Sequence, residues 1–159
     1  MSNPPGKSAN RLSAFLELPG SDRILLSQAL ILIPMVSLGL KGIGFRRVYR
    51  ILDRWASIPT DAPPAHLGRA ERIADLVGKA AWRGIYPVTC LPRSMSLWAV
   101  LRRHAIQANL CIGVRRSEAG IQGHAWVEVN QLPLLERVEI NQEFVQIPLA
   151  SLKPGIKLD

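Results

Sequence analysis

With 159 residues the chain has room for one ordinary domain and at most a helical extension. Its 48% hydrophobic and 20% charged residues exclude a disordered or low-complexity protein. The formal charge of +8 would suit an anionic partner, but the arginines fall in scattered pairs (Arg46-Arg47, Arg102-Arg103, Arg115-Arg116) without zinc-finger spacing or an aromatic RNA-binding signature, so nucleic acid is not expected.

In chain order, residues 1–20 open polar and carry Pro4-Pro5-Gly6, the composition of a flexible N-terminus. From Ile24 to Phe45 runs the most apolar stretch, close to the roughly 20 residues that span a bilayer. Gln28, Pro34, Lys41 and three glycines interrupt it, so a helix buried in a core or covered by a partner is expected, and membrane contact is not. Phe45, Val48, Leu52 and Trp55 then recur at helical spacing, with Arg46, Arg47, Arg50 and Arg54 on the flank. Residues 21–57 thus form a helical segment with a sticky face, suited to docking a partner. The proline-rich stretch 58–68 reads as a linker.

The remaining residues, 69–159, are expected to form the core. Arg69 to Trp82 resumes a helical pattern with Ile73, Leu76, Val77 and Ala80 on one side, and Gly84, Pro87 and Thr89 break it just before Cys90. CLPRSMSLWAVLRRHA predicts a helix, Pro92 being tolerated in a first turn that needs no amide donors. ANLCIGVRR, GHAWVEVN, LLERVEI and EFVQI predict short strands. Helices first and antiparallel strands after is an α+β order.

Cys90 stands where a loop enters a helix. Unpaired amides and partial positive charge there favour a thiolate and help hold an oxyanion. Cys111, mid-strand between Leu110 and Ile112, reads as a buried apolar side chain. With no export signal ahead of them, two cysteines are expected as reduced thiols of a cytoplasmic protein. Of the three histidines, His66 lies in the linker and His104 at a helix end. His124 opens a strand with Trp126 on the same face two residues on, which makes it the candidate base.

A histidine base needs a third group to orient it. If GHAWVEV pairs with LLERVEI, a tight turn centred on Asn130 sets His124 opposite Glu136. A wider loop from Asn130 to Pro133 sets it opposite Glu139 instead. Directly opposed residues stand about 5 Å apart at Cβ, within reach of a carboxylate, and the two glutamates face opposite ways, so the register decides between them. Glu128 is on His124's own strand face but about 13 Å along it. Neither a metal-ligand spacing nor a glycine-rich phosphate loop is present, and no cofactor is expected.

Cys90-Leu91-Pro92-Arg93-Ser94 opening a helix, Leu110 to Arg115, and His124-Ala125-Trp126-Val127-Glu128 together resemble the transglutaminase-like leader peptidases of lasso-peptide biosynthesis. The resemblance spans roughly residues 85 to 140. It implies a papain-like or transglutaminase-like core with a Cys-His-acid triad, and its usual spacing favours Glu136 as the acid, where the family more often has an aspartate. Arg93 and Trp126, inside the matching motifs, are the expected substrate-binding residues. The implied activity is removal of the leader from a ribosomally made precursor. The front half lacks a winged-helix pattern and so resembles the split form, which works with a separate leader-recognition protein and a lasso cyclase.

Overall fold

The computed structural model describes residues 16–58, 66–83, 88–118 and 120–149. Among the described residues, four helices precede the sheet from Gly20 on: α1 (Gly20–Gly42), α2 (Phe45–Trp55), α3 (Leu67–Arg83) and α4 (Cys90–Arg103). They are followed by β1 (Asn109–Ser117), β2 (Gly120–Val129), β3 (Leu132–Leu134), the one-turn helix α5 (Ile140–Glu143) and β4 (Val145–Gln146). The strands form one antiparallel sheet in the order β3-β2-β1-β4. The expected α+β architecture is present. Of the anticipated boundaries, residues 1–15 of the N-terminus and 59–65 of the linker lie outside the described residues.

The helices share one core with the sheet. In α1, Leu25, Ala29, Ile33 and Val36 recur at spacings of three and four and are buried, packing against α3 and α4. Asp22 at its start is buried and accepts hydrogen bonds from Arg72 Nε and Nη2 of α3, at 3.2 and 2.5 Å. Val48 and Leu52 bury the inner face of α2, and Tyr49 stacks on Trp98 of α4 at 5.0 Å between ring centroids. Arg102 fastens the same junction, its Nε donating to Ala56 O at 3.1 Å and its Nη2 meeting Asp53. A single buried cluster therefore runs from Leu25 to Leu134, so residues 21–57 belong to the same packed body as the core. The outer face of α1 stays apolar and exposed at Ile24, Ile31, Met35 and Leu38, and α1 alone among the described helices is long and apolar enough to cross a membrane by length and composition.

α4 is the hub of this body. From Cys90 to Leu101 every residue except Arg93 is buried. Ser94 Oγ donates to the carbonyl oxygen of Ala125 in β2 at 2.8 Å, and Trp98 Nε1 to that of Ala108, just ahead of β1, at 3.1 Å. Two successive turns of the helix are thereby tied to the two central strands. Buried groups of this kind must be paired, and here the pairing fixes the helix on the sheet.

β1 and β2 pair from Asn109↔Glu128 to Ser117↔Gly120. Alternation turns Leu110, Ile112, Ala125 and Val127 to the helices. Cys111, Gly113, His124 and Trp126 share the opposite face, where Ile140 and Phe144 join Cys111 and Trp126 in a second, smaller cluster. A Cβ on Gly113 would meet Phe144 Cβ and Trp126 Cη2 at 2.9 Å each, so a bare backbone is what lets those rings close over the strand. Gly113→Ala is expected to destabilise the fold by about 1–3 kcal/mol, the usual cost of overpacking. Thermal unfolding should show a melting temperature lower by several degrees; an unchanged one would mean that the two rings move aside freely.

Two predicted strands are shorter than expected. Asn130 and Gln131, with φ of 51° and 65°, make a two-residue turn, and the β2–β3 ladder holds only from Val129↔Leu132 to Val127↔Leu134. LLERVEI then leaves the sheet. Leu135 adopts φ 63° and its side chain seats against Gly78 of α3, while Pro133 has no amide to donate on this edge strand. The chain runs on into α5 instead, and EFVQI contributes only Val145–Gln146 as strand.

Candidate active site

Cys90 is the first residue of α4, directly after Thr89, whose backbone is extended at φ −70° and ψ 167°. Pro92 completes the opening turn without loss, because amides there have no partner within the helix. The sulfur is nearly enclosed, the residue being 9% exposed. The Ser94–Ala125 bond brings this end of α4 beside β2 at the residue next to His124.

The His124 imidazole hydrogen-bonds to Cys90. Its Nε2 lies 3.2 Å from Glu136 Oε1, an approach at ion-pair distance but without the alignment of a good hydrogen bond, so its strength is mainly electrostatic. The ring is held by aromatics: Phe144 sits at 5.4 Å between centroids and Trp126, nearly parallel, at 6.3 Å. Arg93 Nη2, one turn along α4 from Cys90, donates to the same Glu136 Oε1. The structure thus brings Cys90, His124, Glu136 and Arg93 together.

The charges follow from these contacts. Contact with Cys90 first and with Glu136 second raises His124 from an ordinary imidazole value to about 9, and burial opposes the rise. Burial alone would raise Glu136. The approach of His124 and the Arg93 guanidinium together outweigh it, and the carboxyl ends below its usual range. At neutral pH the arrangement is an imidazolium between the Cys90 sulfur and a carboxylate.

The other sequence candidates fall elsewhere. Glu139 precedes α5 and has no contact with His124 among the described interactions. Glu128 is buried against Trp126 Nε1 at 2.9 Å and Gln146 Nε2 at 3.5 Å. Cys111 lies beside it, its thiol pushed up to about 12 by burial and by the Glu128 charge, and so is inert at neutral pH. His104 sits 3.4 Å from Gln28 Oε1, lowered by burial and by the neighbouring Arg69 and Arg103 charges, while His66 is exposed where its carbonyl caps α3. Trp126, expected to meet substrate, is 1% exposed with its indole N–H committed to Glu128, so it supports the histidine from below. Arg93, expected in the same role, is ion-paired within the protein. Ser94 and Phe144, which position the helix and the imidazole, went unrecognised in the sequence: a serine within a helix gives no signal of a cross-element bond, and Phe144 reads as an ordinary strand residue. No group of three or more metal-holding side chains assembles among the described residues.

A sulfur at a helix start, with an imidazole from the adjoining sheet and a carboxylate from the segment just past its edge strand, is an arrangement in an α+β protein compatible with a cysteine peptidase or an acyltransferase. Residues 37–148 match the transglutaminase-like superfamily, from the second half of α1 through β4, and the chain belongs to that superfamily. Its members generally act as cysteine proteases or transglutaminases. No curated protein and no solved structure matches the chain.

Proposed function

We propose that this protein is a cysteine peptidase that cuts the leader from a lasso-peptide precursor in the cytoplasm, using Cys90, His124 and Glu136. The observation that carries the reading is the His124 ring set between Cys90, at the start of a buried helix, and the Glu136 carboxylate 3.2 Å from its Nε2. The Cys90 sulfur attacks the last leader carbonyl and forms a thioester as the peptide C–N bond breaks. His124, held by Glu136, gives its proton to the departing amine of the core peptide, and water then releases the leader as a carboxylate. The first-turn amides of α4 are placed to stabilise the oxyanion. The lasso-peptide assignment itself draws on the motif combination around Cys90, Leu110 and His124.

In this reading a separate leader-recognition protein presents the precursor and a cyclase closes the core afterwards. The exposed apolar face of α1, with Ile24, Ile31, Met35 and Leu38, supplies a surface for such a partner. The test is incubation of the full chain with a leader-recognition protein and a precursor, with mass analysis of the products. Two fragments whose masses add up to precursor plus one water support the proposal. Intact precursor, or a precursor that has gained an amine, would overturn it in favour of a binding module or a transamidase.

A further inference from the structure

Arg93 interrupts an otherwise buried run. Between Cys90 and Leu101 every other residue is turned into the core, while Arg93 reaches out of α4 to Glu136. It stands three residues after Cys90, so one turn of helix carries both the sulfur and the guanidinium on the same side. Glu136 Oε1 is the oxygen addressed by Arg93 Nη2 and also the oxygen 3.2 Å from His124 Nε2.

Glu136 has little else to hold it. The β2–β3 ladder stops at Leu134, and Leu135 anchors the backbone through its contact with Gly78 without constraining the carboxylate. The side chains of the Arg93–Glu136 pair are 17% and 18% exposed, the most enclosed arginine or lysine pair among the described residues. An enclosed pair is screened little by solvent, and removing one partner leaves the other charge stranded.

We infer that Arg93 is a positioning residue, which clamps the Glu136 carboxylate against His124 and thereby couples the helix that carries the nucleophile to the acid. This rests on the reading of Cys90, His124 and Glu136 as one proton relay. The charges acting on Glu136 are those of Arg93 from α4 and His124 from β2. Losing the guanidinium therefore makes the carboxylate easier to protonate, and the relay fails at a higher pH on the acid side.

The test is iodoacetamide labelling of Cys90 against pH in the full chain, with Cys111 as internal reference. Arg93→Gln should move the acid limb upward by about one pH unit, the low end of what an adjacent opposite charge contributes. Arg93→Lys, which keeps the charge, should restore most of it. Arg93→Met, which keeps the packed stem, replaces Arg93→Gln if that variant fails to fold. In a Glu136→Gln background the Arg93 change should add no further shift. An acid limb that stays put when the charge is removed, or a further shift in the Glu136→Gln background, overturns the clamp while leaving the relay intact. Wild-type Cys90 labelling no faster than Cys111 overturns the relay and the clamp with it.

Discussion

Cys90→Ala is expected to leave a folded protein whose cleavage of precursor falls by about 10⁴-fold or more, the scale seen when a covalent nucleophile is removed. The change deletes one nearly enclosed sulfur from the surface of the core. The cost in packing is small, about 1 kcal/mol for a single heavy atom, so the melting temperature should move by a few degrees at most. The chemical cost is total, because among the described residues no second cysteine is placed to substitute. Cys111 is buried among Trp126, Ile140 and Phe144, with its thiol pushed up to about 12 beside Glu128. His124 would also lose the first of the two partners that keep its proton. Cleavage read by mass analysis, with a thermal melt on the same sample, reports both quantities. Wild-type cleavage by the variant would remove Cys90 from the mechanism; loss of cleavage together with loss of the melt would show that the sulfur is structural.

The helical framework and the Cys90 position were legible because each rests on a strong local signal. Ile73, Leu76, Val77 and Ala80 recur at helical spacing and are buried, and a proline just inside a helix start marks α4 before any contact is known. Cys111 was separable from Cys90 because it stands mid-strand between Leu110 and Ile112 rather than at a helix start. The surroundings of Glu136 were not legible. Continued in register, the β2–β3 ladder would set Arg137, not Glu136, across from His124. Glu136 arrives there because Leu135 turns into the left-handed region against Gly78 of α3, a contact between segments 57 residues apart that no local pattern encodes. The same departure produces α5, and with it Ile140 and Phe144, which cover the face on which Trp126 lies.

Glu136→Gln carries the second large effect. The amide matches the carboxylate in shape but has no charge, and it presents an N–H₂ where His124 Nε2 needs an acceptor. Loss of the acid from such a relay lowers kcat/KM by roughly 10²- to 10⁴-fold. Glu139→Gln, at the start of α5, should leave activity unchanged. The pH dependence gives a second, independent sign. His124 is raised in the folded protein from 6.5 to about 9, so the native state binds the proton more tightly than the unfolded chain. That contribution to stability is fully present below about 6.5 and is lost as pH rises through about 9. Wild-type protein should therefore lose melting temperature between these values. In Glu136→Gln the imidazolium has lost its carboxylate, His124 falls back toward its ordinary range, and the decline should flatten. Parallel melting curves for the two proteins from neutral pH to above 9 would show that Glu136 does not hold the His124 proton.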